Sequence, residues 1–170
     1  TRRATTGPSA PSARYWHALA YDSARKRTVL FGGFGANGVG ALDDTWEWDG
    51  TAWWPLRTLT RPSARWGHAL AYDSALKRTV LFSGDGGLVS DTWEWDGTMW
   101  SLRPTTGPST RAAHALAYDS ARTRTVLFGG FQNSNETWEW DGMTWRQRAT
   151  TGSRERAWPA LAYDAARKRT

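Results

Sequence analysis

The sequence predicts an all-β repeat protein with almost no helix, and three observations carry that prediction. Asp44-Thr45-Trp46-Glu47-Trp48-Asp49-Gly50 returns at 91–97 and, with Glu136 in the first place, at 136–142. Within it Trp46 and Trp48 alternate with Thr45 and Glu47, the period of two that marks a β-strand. A second block, His17-Ala18-Leu19-Ala20-Tyr21-Asp22, returns at 68–73, at 114–119 and, opening on Pro159, at 159–164. The repeat of about 45–50 residues is that of a propeller blade or another repeat array.

Each unit holds four strand-like pieces in the same order. Strand a is 17–21 in the first unit, and strand b is Thr28-Val29-Leu30-Phe31, which returns at 79–82 and 125–128. Strand c carries Trp-Glu-Trp. Asp-Gly then suits a type I′ hairpin turn, because both residues tolerate positive φ. Strand d opens on Trp53, Trp100 or Trp145. The chain divides into the tail of a preceding blade and a linker (1–12), blade 1 (13–57), blade 2 (58–103), blade 3 (104–148) and the start of a fourth (149–170). No stretch pairs helical periodicity with helix start and stop signals. With strand a innermost and strand d outermost, Leu19, Leu70 and Leu116 should be less exposed than Arg57, Arg103 and Arg148.

Composition narrows the classes. The 170 residues include thirteen Trp, at repeating positions, and no Cys, so thiol chemistry and disulfides are absent. No apolar run approaches the ~20 residues of a membrane-spanning helix, and the first residues lack the apolar core of a signal peptide. Lys plus Arg number 22 against 16 Asp plus Glu, a formal charge of +6. The basic residues, however, are spread over turns and edge strands among acids. A nucleic-acid binder gathers them on one face.

Strand b is followed by a glycine pair (Gly32-Gly33, Ser83-Gly84, Gly129-Gly130) and then by two spaced aromatics such as Trp48 and Trp53, with Arg14 three residues before His17. This combination resembles the kelch motif over essentially the whole chain. The resemblance implies a kelch-type β-propeller segment of three complete four-stranded blades with partial strands at both ends, strand a lining a central channel. Ser83 and Pro159 depart from the pattern. The resemblance also leaves open an enzyme, since some kelch propellers carry oxidase or sugar-epimerase sites. The oxidase version fits poorly, because its cysteine-linked tyrosine needs a Cys.

Residues 5–9 match 105–109, which follow a strand d, and Thr170 matches Thr28. A piece of a longer array is therefore expected, or a subunit completed by association, because propellers typically need four to eight blades. Neighbouring blades, from a longer chain or from other subunits, are thus expected partners. A purely structural repeat assembly is a further alternative.

Strand a stands at a constant distance from strand b (His17 to Val29, His68 to Val80, His114 to Val126), whereas the b–c distance varies. The b–c loops share one rim with the d–a connections, and irregular loops on a rigid scaffold are where binding usually resides. Arg14, Arg65, Arg111 and Arg156 ring that rim. Either they are fixed cations for carboxylates, as in kelch domains that bind acidic peptides, or they pair with Asp44, Asp91 and Glu136. Tyr15, Trp16, Trp66 and Trp158 stand beside them without recurring in every unit, so they suit an exposed platform for a sugar or a cation, or packing between blades. Asn37, Asp85, Gln132 and Asn133 supply loop polar groups on the same rim. Replacing Arg65 and Trp66 by Ala should weaken binding and leave the blade folded.

His17, His68 and His114 occupy equivalent places on successive sheets ~10 Å apart, too far for one metal with bonds of about 2 Å. They read as structural hydrogen-bonding groups. Glu47 and Asp49 recur in every copy, whereas a catalytic pair is needed once. The expectation is a non-catalytic binding or scaffolding module for a protein or glycan, with no cofactor, no metal and no nucleic acid.

Overall fold

The computed structural model describes residues 9–84, 89–104, 106–131, 135–150 and 157–170. Among them every regular element is a strand. The first sheet contains β1 (Arg14–Tyr15), β2 (Ala18–Asp22), β3 (Arg27–Gly35), β4 (Gly40–Trp48) and β5 (Trp53–Leu56). The second runs β6 (Ala69–Asp73), β7 (Arg78–Phe82), β8 (Thr92–Trp95) and β9 (Trp100–Arg103). The third runs β10 (Ala115–Asp119), β11 (Arg124–Phe128), β12 (Thr137–Trp140) and β13 (Trp145–Ala149). The chain is therefore an all-β, propeller-like segment of three antiparallel blades, each a four-stranded a–b–c–d meander, with β1 added to the first. Among the described residues no helix is long and apolar enough to cross a membrane.

The turns explain two recurring acids. In the a–b turns Asp22 Oδ1 accepts the Arg25 N–H at 3.0 Å, and Asp73 Oδ1 accepts those of Ala75 and Leu76 at 2.9 Å. In the c–d turns Asp49 Oδ1 accepts Thr51 N at 2.9 Å, Thr51 Oγ1 at 2.7 Å and Ala52 N at 2.9 Å. Trp48 pairs with Trp53 across these four residues, and Gly50 has φ 98° with no other positive φ in the loop. The hairpin is thus a four-residue loop closed by an aspartate side chain, not the two-residue type I′ turn that Asp-Gly suggested.

Packing repeats from blade to blade. Ala20, Val29 and Phe31 of blade 1 pack on Leu70, Leu81, Trp93, Trp95 and Trp100 of blade 2. Ala71, Val80 and Phe82 of blade 2 meet Leu116, Leu127, Trp140 and Trp145 of blade 3 in the same way. Polar ties fix the register of each joint. Trp100 Nε1 donates to Thr45 Oγ1 and Trp145 Nε1 to Thr92 Oγ1, both at 2.9 Å. Trp95 and Trp140 donate to Glu47 and Glu94, both at 3.3 Å. The Trp-rich repeat is therefore a device for bonding each blade to the one before it. Buried indole N–H groups need such partners.

Neighbouring sheets come close along β2, β6 and β10, so strand a is the inner strand and strand d the outer one. Leu70 and Leu116 are buried as expected, but Leu19 is 49% exposed, open like Arg57 and Arg148 and more open than the half-buried Arg103. The reason is the face it occupies. Leu70 and Leu116 pack against the preceding blade, and among the described residues no blade covers Leu19 in that way. The fourth unit packs on the far side of blade 3, where Tyr163 Oη accepts the Ala121 N–H at 3.2 Å. Its described residues, 157–170, form no strand beyond an Asp164–Arg169 bridge.

Candidate functional site

The b–c/d–a rim is built on three arginine clamps. Arg14 reaches Asp44 at 2.5 and 2.9 Å, Arg65 reaches Asp91 at 2.5 and 2.9 Å, and Arg111 reaches Glu136 at 2.6 Å. Each Arg also donates to the carbonyl that follows its strand b, Gly32, Ser83 or Gly129, at 3.0–3.2 Å. The same carboxylates accept the first indole of each Trp-Glu-Trp, from Trp46, Trp93 and Trp138, at 2.6–3.0 Å. Of the two roles the sequence left open for these arginines, the geometry gives the second: they pair with the acids inside the fold. Burial alone would raise the Asp91 carboxyl, but the hydrogen bonds and charge of Arg65 outweigh it and hold the group below its usual value. Glu136 is held down by Arg111 in the same manner. Arg65 is fully buried, so replacing it by Ala would damage the blade. The expected Arg65/Trp66 test is therefore not a clean probe of binding.

Beside the clamps runs a backbone ladder that links the blades. Gly67 N donates to Trp16 O, Ala113 N to Gly67 O and Trp158 N to Ala113 O, at 2.8–2.9 Å. All four residues have positive φ, Trp16 at 56° and Trp158 at 59°. The ladder carries indoles at both ends and only a hydrogen or a methyl in the middle. Across that gap Trp16 and Trp158 stack with ring centroids 5.9 Å apart.

The remaining rings join them. β1 pairs Tyr15 with Phe34 on an extended b–c hairpin that runs beyond a bulge at Gly32. Tyr15 stacks on Phe34 at 5.4 Å and meets Trp16 edge-on at 4.7 Å. Trp66 lies 4.7 Å from Trp16, and Phe131 meets Trp158 edge-on at 6.2 Å. The result is one aromatic surface drawn from all four repeat units. Tyr15, Trp16, Trp158 and Phe131 are exposed, and Phe34 and Trp66 are half-buried.

The structure thus gathers Arg14, Tyr15, Trp16, Arg65, Trp66, Arg111 and Trp158 on one rim, with Asn37 exposed at the tip of the long hairpin. Asp85, Gln132, Asn133 and Arg156 lie outside the described residues. Phe34 and Phe131 were missed as site residues. Their signal was available: each directly follows the glycine pair, where the second repeat has Asp85.

Of the recurring histidines, expected to be structural hydrogen-bonding groups, His17 is exposed, and neither ring nitrogen of the buried His114 has a hydrogen-bond partner among the described residues, so the role holds for His68. His68 Nε2–H donates to the Phe31 carbonyl of the preceding blade at 3.1 Å. Burial, reinforced by Arg65 and Arg111, pushes His68 and His114 down to about 3. Glu47 accepts Arg25 at 2.8 Å besides Trp95, and Asp49 accepts the Trp54 indole at 2.8 Å besides closing its turn. The geometry of the site is that of a rigid aromatic surface with buried ion pairs beneath it. No family model matches the chain, and no curated protein matches it.

Proposed function

We propose that the chain is a non-catalytic binding or scaffolding module that recognises a protein or glycan partner on the b–c/d–a rim. One observation carries the reading: six aromatic rings drawn from four repeat units converge there, four of them exposed. Contiguous exposed apolar surface of this kind marks interaction sites, and Trp and Tyr are suited to them. The blades are of kelch type in this reading. Support comes from the second glycine of the doublet, since a Cβ at Gly33 or Gly84 would lie 2.8 Å from the Cβ of His17 or His68.

Glycan and peptide arrays probed with the chain test the proposal. Trp16→Gly with Trp158→Gly should lose the bound ligand, because glycine keeps the positive φ and removes the rings. Lys77→Ser with Arg78→Ser, on the opposite rim, should keep it. The reverse pattern would place the functional face on the a–b turns.

A second reading concerns assembly, and Leu19 and Tyr21 favour it, at 49% and 57% exposed where Leu70 and Leu116 are 7% and 8%. A neighbouring blade, from a longer polypeptide or another subunit, covers this face in the working protein. In sedimentation velocity the 170-residue chain should therefore associate as its concentration rises. A compact monomer across the whole range contradicts this reading.

A further inference from the structure

We propose that the rim takes a protein segment carrying arginine or lysine, an inference that rests on the binding reading above and names its partner's chemistry. The three ion pairs beneath the aromatic surface all point the same way. Side-chain exposure is 3% for Arg14 against 36% for Asp44, 1% for Arg65 against 26% for Asp91, and 0% for Arg111 against 21% for Glu136. Every pair therefore turns its guanidinium inward and its carboxylate toward solvent.

The buried cations have nothing left to offer. A guanidinium has five N–H donors. Arg65 gives them to Asp91 twice, to the Ser83 and Ser63 carbonyls, and to Ser63 Oγ. Arg14 gives them to Asp44 twice, to the Gly32 and Ser12 carbonyls, and to Ser12 Oγ. An acidic ligand would meet no free donor from these arginines and would face the carboxylates instead.

The rings add to the same polarity. The face of an indole or phenol ring is the negative end of its quadrupole, and a cation within about 6 Å of the centroid is attracted to it. Tyr15, Trp16 and Trp158 present such rings on the same rim as these carboxylates. The exposed Arg61 nearby is held by Asp43 at 2.7 Å. The opposite rim mixes the two signs: Lys26, Lys77 and Lys168 are exposed in the a–b turns, and Asp49, Asp96 and Asp141 stand in the c–d turns, each of these acids near an Arg. What sets the aromatic rim apart for a basic segment is the pairing of ring faces with outward-turned carboxylates. Arg suits the site better than Lys, because its planar group stacks on Trp while an N–H reaches the acceptor position left on a carboxylate that already takes three hydrogen bonds.

The test is a titration of the chain, followed by tryptophan fluorescence, with three probes. These are a capped octapeptide alternating Gly and Arg, its Gly-Glu counterpart, and cellohexaose. The Gly-Arg peptide should bind saturably and at least about tenfold more tightly than the Gly-Glu peptide, a difference of about 1.4 kcal/mol. The margin should narrow as salt is raised. Trp16→Gly with Trp158→Gly should abolish the binding, as should Tyr15→Ser with Phe131→Ser, a second pair at positions of ordinary backbone. Lys77→Ser with Arg78→Ser should leave it unchanged. Equal or tighter binding of the Gly-Glu peptide overturns the inference, as does Gly-Arg binding that neither aromatic pair weakens, or no Gly-Arg binding at all. Cellohexaose binding that depends on Trp16 and Trp158, without Gly-Arg binding, overturns the basic partner and leaves the rim in place. Failure of the rim itself is distinguishable: the array ligand would then bind the aromatic variants as tightly as the parent.

Discussion

Trp16 and Trp158 hold a backbone conformation that favours glycine, and the equivalent Gly67 shows the residue the backbone alone would select. A bulky residue held at positive φ costs of order 1 kcal/mol or more, and such strain clusters at binding sites. His68 and His114 are residues of the other kind, recurring and internal. Each is held neutral in the fold, down to about 3 from an ordinary value of 6.5. Below pH 6.5 the unfolded chain takes up protons at these two positions that the folded chain refuses. Stability is therefore complete above about 6.5 and is lost as pH falls toward 3, by up to about 1.4 kcal/mol per pH unit for each His. Asp91 and Glu136 have depressed values, so their contribution is present above the unfolded values and fades only below about 4. Urea denaturation between pH 6.5 and 4.5 isolates the histidines. The parent chain should lose stability across that window, and His68→Gln with His114→Gln should flatten the slope. A parent whose stability does not change there refutes the assignment of both histidines.

At the level of the elements, the c–d turns tie the blades as well as closing hairpins. Gly50 and Gly97 share a φ of 98°, but a Cβ at Gly50 meets nothing within 4 Å, whereas one at Gly97 falls on the Arg25 guanidinium of the preceding blade. That guanidinium is bound to Asp22 at 2.6 Å and Glu47 at 2.8 Å. Gly50→Ala should cost about 1–3 kcal/mol for the backbone alone. Gly97→Ala should cost about 1.5 kcal/mol more, the scale of one charged hydrogen bond, because the added methyl displaces the Arg25 guanidinium from Asp22 or Glu47. Thermal unfolding of the two variants decides the matter, and equal losses would mean that Arg25 is not packed against the Gly97 turn. The strands themselves were legible in the sequence, because alternation and an exact repeat place Trp46, Trp93 and Trp138 without any structure. The joints were not. Periodicity shows that Trp100 and Thr45 recur, but their bond spans more than fifty positions and nothing local announces it. The arginine clamps were half legible: position named Asp44, Asp91 and Glu136 as possible partners, and only burial showed that the guanidinium groups face inward. β1 was not legible at all, since Arg14–Tyr15 is too short for a pattern and pairs only because blade 1 has the long hairpin.

Across the whole molecule the two rims differ in kind. One is aromatic and irregular, with carboxylates turned outward. The other repeats the same short turns, with Lys26, Lys77 and Lys168 exposed. This polarity is the basis for assigning the ligand to one face. Hydroxyl-radical footprinting tests it most directly, with and without the ligand identified on the arrays, because Trp, Tyr, Phe and Met report on both rims. Binding should protect Tyr15, Trp16, Trp158 and Phe131 and leave Met99 and Met143, in the c–d turns of the opposite rim, as reactive as in the free chain. Protection of Met99 and Met143, with Trp16 and Trp158 unchanged, would contradict the account.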